Sequence, residues 1–278
     1  MGKTLYVSDM DGTLLNSQSH ISEKTSQIIS NLSQQGAMIT VATARTPATV
    51  EPLLSQTKNN LPTIVMTGAA LWDRDKMKYI NQQYLNIETV IEIKKLCDTY
   101  HISPFIYTLK DSGFLDVYYS GIVDDNVTRF VTERKMLALK TFHINSGIVP
   151  NNIFHNTLLF FAMGEKARIF RLAEEINQNI DCSVSCYVDI FGKDTGILEI
   201  FAPGVSKAAA VKSLAKDINA DRIIVFGDNL NDIPMMRIAD VSVAVGNALD
   251  EVKKVADIII DCNDCDAVAQ YIQNDFLK

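Results

Sequence analysis

The chain has 278 residues, 47% of them hydrophobic and 21% charged, with a formal net charge of −7. This is the composition of a folded globular protein, and the length suits two modest domains or one domain carrying a large insertion. The acidic balance argues against a nucleic-acid or anionic-membrane surface, which needs a basic stripe, and no apolar run approaches the roughly 20 residues that span a bilayer.

The first 80 residues alternate short β-rich runs with helical patterns. TLYVSD (4–9) reads as a strand, Ser22 to Gln35 as a helix, AMITVATA (37–44) as a strand, a helix follows Pro47, and PTIVMTG (62–68) reads as a third strand. The strands are apolar throughout, as expected where helices cover both faces of a parallel sheet. From about Tyr84 to Ile200 the style changes to a helix (IETVIEIKKLCDTY), aromatic-rich strands such as FIYTL and FLDVYY, then further helix and strand. The β-α alternation then returns, with a helix at 206–218, IIVFGD (223–228), a helix at 231–238, VSVAV (241–245), a helix in LDEVKKVA and DIII (257–260). The expected architecture is α/β: a Rossmann-like, doubly wound parallel sheet from 1–83 and 201–278, with an inserted α+β cap domain at 84–200. No export signal precedes the first aspartate in MGKTLYVSDMDG, so a cytoplasmic protein is expected.

Asp9-Met10-Asp11-Gly12-Thr13 stands where the first strand ends. In an extended segment residues i and i+2 point the same way, so Asp9 and Asp11 are expected to project together beyond the carboxyl edge of the sheet, where open α/β folds bind ligands. Of two such carboxylates, one can be a nucleophile that takes a phosphoryl group and the other a general acid and base. Carboxylates facing an anionic phosphate demand a cation, and oxygen ligands point to Mg²⁺. Asp228, at the end of IIVFGD, supplies a third carboxylate if its strand lies beside the first. Asp232, four residues on, either orients ligands from behind or caps the next helix. Thr43 ends the second strand, where its hydroxyl and the following amides can hold phosphate oxygens. Lys207 occupies the first turn of a helix, where the dipole opposes a cation, and a lysine so placed suits neutralisation of an anion.

DMDGT, Thr43 in ATAR, Lys207 in GVSK and GDNLND, in that order, resemble the four motifs of the haloacid dehalogenase superfamily, and the position of the insertion resembles its Cof-like, subclass IIB phosphatases. The resemblance implies that Asp9 is the nucleophile and Asp11 the general acid and base, which also offers its backbone carbonyl to Mg²⁺. It implies that Thr43 and Lys207 bind phosphate and that Asp9, Asp11 and Asp228 hold the metal. Asn231 and Asp232 support the site, and Arg45 faces the substrate. Ala44 stands where the family usually carries Gly, a departure that narrows backbone freedom near the phosphate. The implied activity is Mg-dependent hydrolysis of a small phosphomonoester, such as a sugar phosphate, through an aspartyl-phosphate. A phosphomutase of the same superfamily and a catalytically idle phosphometabolite-binding protein are the alternatives.

Other motifs lead elsewhere or nowhere. Neither G-x-x-x-x-G-K-S/T nor G-x-G-x-x-G occurs, and the four histidines (20, 101, 143, 155) lack metal spacing. The five cysteines suit reduced thiols, and Cys262 and Cys265 form a lone C-x-x-C that reads as a helix start.

Overall fold

A computed structural model describes residues 2–110, 112–145, 151–188 and 194–278. The chain divides into two compact units, Met1–Ile80 with Ser206–Lys278, and Asn81–Val205.

In the first segment β1 (Thr4–Ser8) is buried almost throughout and runs into a wide turn, Met10–Leu14, closed by the Leu15 N–H on the Met10 carbonyl at 2.8 Å. Helix α1 (Glu23–Gln34) starts where Ser22 accepts the Thr25 N–H at 2.9 Å and buries a stripe including Ile29 and Leu32. Strand β2 (Met38–Val41) follows, then α2 (Pro47–Leu54), whose first position is a proline with φ already set for a helix. The expected third parallel strand is cut short. β3 (Thr63–Val65) touches the end of β2 through a single parallel bridge, Ala42 with Ile64, and otherwise pairs antiparallel with β4 (Ala70–Asp73), itself paired with β5 (Lys78–Ile80). Met66, Thr67 and Gly68 take φ of 48°, 57° and 98°, which turn the chain back on itself.

The second unit contains α3 (Ile87–Thr99), β6 (Phe105–Leu109), β7 (Leu115–Tyr119), α4 (Asp125–Thr132), β8 (Lys140–Ile144), β9 (Thr157–Glu165), α5 (Lys166–Asn179), β10 (Ser183–Val188) and β11 (Thr195–Phe201). Its strands form one sheet in the order β10-β11-β9-β6-β7-β8, antiparallel except for the β7–β8 pair. Val90, Ile93 and Cys97 of α3 and Ile169, Leu172 and Ile176 of α5 bury against Ile106, Phe160, Leu198 and Ile200 of that sheet. This is an α+β unit with its own core.

The last segment returns to the first unit with α6 (Lys207–Asp217), β12 (Arg222–Gly227), α7 (Ile233–Met236), β13 (Val241–Ala244), α8 (Asp250–Val255), β14 (Ile258–Ile259) and α9 (Ala267–Phe276). The helix expected over 231–238 is a short helical turn, Leu230–Asp232, followed by α7 alone. The parallel sheet runs β14-β13-β12-β1-β2, so β1 is flanked by a strand from each end of the chain. Leu5, Val7, Ile224, Val225 and Phe226 are fully buried at its centre.

Candidate active site

The site grows from the carboxyl ends of three neighbouring strands. Ser8 pairs with Phe226 on one side and Val41 on the other, so Asp9, Asp228 and Thr43 leave the sheet at one edge. The Asp9 N–H still bonds to the Phe226 carbonyl (3.0 Å), which holds its carboxyl at the end of β1.

Lys207 ties the buried part together. Its ammonium, 3% exposed, donates to Asp9 Oδ1 at 2.6 Å and to Asp232 Oδ1 at 2.8 Å. The cation sits at the first position of α6, where the helix dipole opposes it, and the two carboxylates offset that cost. Ser206 caps the helix through the Ala209 N–H (3.1 Å), and Gly68 lets the β3–β4 turn approach it. A Cβ on Gly68 would lie 2.5 Å from the Ser206 carbonyl oxygen. Asp232 is fully buried, and its other oxygen accepts the N–H groups of Asp228 and Asn229, both at 3.1 Å. It therefore caps the helical turn after β12 and positions Lys207 at once.

Asp228 accepts from the Thr13 hydroxyl at 2.8 Å. Gly12 is required beside it: its φ is +75°, and a Cβ there would stand 2.4 Å from Asp228 Oδ2. Burial pushes the Asp9 carboxyl up to about 8 against the pull of Lys207, and pushes Asp228 up to about 6 against the Thr13 hydrogen bond. Lys207 is held above its ordinary range: burial works against the charge, but Asp9 and Asp232 outweigh it.

Oxygens of Asp9, Asp228 and Asp232 lie within 4.8 Å of one another. Three carboxylates facing one ammonium leave the pocket short of positive charge, and its donors are all oxygen. A hard divalent cation such as Mg²⁺ fits that set. Each Asp232 oxygen already accepts a hydrogen bond, so Asp9 and Asp228 are the carboxylates left to face an ion.

Thr43 is 1% exposed, and its hydroxyl oxygen accepts the Arg45 N–H at 3.1 Å. The Thr43 N–H bonds to the Ile64 carbonyl, and the Thr67 N–H to the Thr43 carbonyl, both at 3.0 Å, so the loop is pinned to β3 and its turn. Ala44 is half-buried and does not take the left-handed backbone conformation that favours glycine.

The Asp11 carboxylate is engaged by Arg45. It is half-exposed and held from Nε to Oδ2 at 2.7 Å and from Nη2 to Oδ1 at 2.6 Å, and it stands outside the carboxylate cluster. Asn231 is exposed on the turn whose cap is made by Asn229 and Asp232. Two contributors escaped the sequence reading. Thr13 lay within a noted motif without a role, and Asn247, which donates to the Gly12 carbonyl at 2.7 Å, carries no local signal in VGNALD. Among the described residues no helix is long and apolar enough to cross a membrane.

The pattern of haloacid dehalogenase-like hydrolases matches residues 6–272. A 5-amino-6-(5-phospho-D-ribitylamino)uracil phosphatase of Bacillus subtilis is 28% identical over 270 residues, covering 96% of this chain and 93% of the relative. A pyridoxal phosphate phosphatase of Escherichia coli is 23% identical, with 95% of each chain covered. Among solved structures, a haloacid dehalogenase-like hydrolase from Bacteroides thetaiotaomicron superposes with a TM-score of 0.78 over 98% of both chains at 23% identity, a likeness of fold. With a match that takes in nearly every residue from β1 to α9, this chain belongs to the haloacid dehalogenase-like hydrolases.

Proposed function

We propose that this hydrolase is a Mg²⁺-dependent phosphatase of small phosphorylated metabolites that works through an aspartyl-phosphate on Asp9. The observation that carries the reading is the buried Asp9 carboxylate, 2.6 Å from the Lys207 ammonium and clustered with Asp228 at the carboxyl edge of the sheet. Relatives named as phosphatases across nearly the whole chain support a phosphomonoester hydrolase.

In the first half-reaction an Asp9 oxygen attacks phosphorus and the bond to the leaving oxygen breaks, while Asp11 gives that oxygen its proton. Both oxygens of Asp11 are occupied by Arg45, so proton transfer requires the pair to open; Arg45 is then free to turn to the substrate. In the second, Asp11 takes a proton from water, the water oxygen attacks phosphorus, and the bond to Asp9 breaks to release phosphate. Lys207, the Thr43 hydroxyl and the Ala44 N–H hold the phosphoryl oxygens, and Asp232 holds Lys207. Asp9 and Asp228, with the Asp11 carbonyl, would hold Mg²⁺, and the ion when bound would supply positive charge against the phosphoryl oxygens. Asn231 is assigned a supporting place at the rim.

These residues account for the phosphate and leave the rest of the substrate to be chosen elsewhere. Sugar and polyol phosphates are the preferred class, since the name of the Bacillus subtilis relative places its phosphate on a ribityl chain. The test is phosphate release from a panel of sugar phosphates, polyol phosphates, nucleotides and pyridoxal phosphate, with Mg²⁺ or EDTA. Release that requires the metal is expected; equal release in EDTA overturns the metal requirement, and no release from any member overturns the hydrolase reading.

Asn247 tests the positioning of the catalytic turn. Removing its hydrogen bond to Gly12 in Asn247→Ala, worth about 1 kcal/mol, is expected to lower kcat/KM about fivefold. Asn247 also accepts the Asn263 N–H, so the melting temperature falls by at least about 2–4 °C, and an unchanged kcat/KM shows the turn to be held without it.

A further inference from the structure

The C-x-x-C pair lies outside the chemistry above, and its surroundings give it a role. Cys262 is half-buried and Cys265 exposed, with their Sγ atoms 3.0 Å apart. The Cys265 N–H closes a tight turn on the Cys262 carbonyl at 3.0 Å. Such a turn brings the two Cα atoms within about 7 Å, inside or close to the span that a disulfide bridges. The thiols are therefore within reach of the bond once the ends of the turn draw in, and one of them meets solvent.

The two residues between the cysteines are fastened to the catalytic turn. Asn263 donates through Nδ2 to the Leu15 carbonyl (2.8 Å), and its N–H bonds to Asn247 Oδ1 (2.9 Å), whose Nδ2 holds the Gly12 carbonyl (2.7 Å). Asp264 Oδ1 accepts the Ser17 N–H at 2.8 Å. Immediately beyond Cys265, Asp266 accepts from the Ser22 and Thr25 hydroxyls at the start of α1. A change in the shape of the 262–265 turn thus reaches Gly12, Leu15 and Ser17 through side-chain and backbone bonds, and Gly12 is the residue packed against Asp228.

We propose that Cys262 and Cys265 are a modification site, a dithiol that low-molecular-weight disulfides of the glutathione type oxidise to an intramolecular disulfide, and that this bond displaces the catalytic turn. The exposed Cys265 thiolate attacks one sulfur of the small disulfide, forming a mixed disulfide and expelling one small thiolate. Cys262 then attacks the Cys265 sulfur and expels the second. Two electrons pass to the small disulfide and the two protein thiol protons end on the two released thiols. Closing the sulfurs from 3.0 Å to about 2.05 Å draws the ends of the turn together and shifts Asn263 between them. The hydrogen bond with Cys262, then burial and the charges of Cys262, Asp261 and Asp264, hold the Cys265 thiol above its ordinary range, so the exchange is slow near neutrality.

The full-length protein is incubated with excess oxidised glutathione at about pH 8.5, where thiolate is more abundant, then analysed by intact mass and by peptide mapping without reduction. The expected product is a Cys262–Cys265 disulfide that dithiothreitol reverses and that neither Cys262→Ser nor Cys265→Ser forms. Only mixed disulfides with glutathione, or unmodified thiols, overturn the proposal. Amide hydrogen exchange of the segment from Met10 to Ser17 reads the displacement without reference to activity. Faster exchange in the oxidised form, reversed on reduction, is expected, and identical exchange in the two forms overturns the coupling. If phosphate release is also measured, it falls by at least about threefold on oxidation of the wild type, a small share of what a misplacement near 1 Å can cost. The serine variants keep their rate under the same treatment.

Discussion

Asp9→Asn releases phosphate at least about 10³-fold more slowly than the wild type at saturating substrate and Mg²⁺, because an amide cannot form the acyl-phosphate bond. The same variant keeps its fold. Burial already pushes the Asp9 carboxyl toward its neutral form, and Asp232 and Asp228 repel its charge, so a neutral isostere is well suited to the position. An asparagine oxygen can still accept from Lys207, whose second bond to Asp232 is untouched. The measurements are phosphate release and a thermal melt on the same preparation. Near wild-type release from a folded Asp9→Asn protein ends the aspartyl-phosphate mechanism, and loss of release together with loss of the fold points to a structural part for Asp9.

Lys207→Met has the opposite signature, since it costs stability as well as rate. Methionine fills the space of the aliphatic stem and removes only the ammonium, leaving Asp9 and Asp232 buried, close together and unpaired. Stranding a buried charge in this way costs about 3–5 kcal/mol, and losing the cation that faces the phosphoryl group lowers kcat about 10²-fold or more. The loss depends on pH. Without Lys207 the folded-state pKa of Asp9, already raised to about 8, rises further above its unfolded value near 4. A carboxyl raised on folding binds more protons in the native than in the unfolded state, so its contribution falls as pH rises through the interval between the two values. Below about pH 8 both proteins keep the proton and lose stability in step, whereas above it the wild type releases the proton and levels off while Lys207→Met goes on losing, so urea unfolding at about pH 6 and about pH 9.5 is expected to show the smaller Lys207→Met deficit at the lower pH. A deficit of equal size at both values shows that the lysine stabilises by packing alone.

How far the site could be read in advance depends on whether a residue's surroundings are local. Asp9 and Asp228 follow uninterrupted apolar runs bounded by helical patterns, so their emergence at one sheet edge followed from the β-α alternation, and the register of Ser8 with Phe226 gives that edge its atoms. Lys207 was visible because it sits against the helix dipole, a local misfit that asks for a partner. That Asp232 is the partner was hidden, since its place at a helix start has a complete local explanation in the cap it makes. That the Asp11 carboxylate pairs with Arg45 was not legible, since the partner comes from a loop 34 residues away. The run at 62–68 failed for another reason. The reversal uses positive φ at Met66 and Thr67, residue types that give no warning of it, and the short strands β4 and β5 that follow lack flanking turn residues strong enough to announce a hairpin. Asn247 was out of reach, because its meaning lies in a carbonyl 235 residues away.

The position of β1 bears on how the protein is made. Thr4 to Ser8 lie at the heart of the parallel sheet, yet one of the two strands that flank them, Arg222 to Gly227, belongs to the far end of the chain. At about 5–20 residues per second, a ribosome needs on the order of ten seconds or more after making Ser8 before it has made Phe226. Throughout that interval one edge of β1 offers apolar side chains and open backbone groups to any strand nearby, including one on a neighbouring nascent chain. The strand that leads into Asp9 is therefore made long before it is finished, and slow or crowded translation prolongs its exposure.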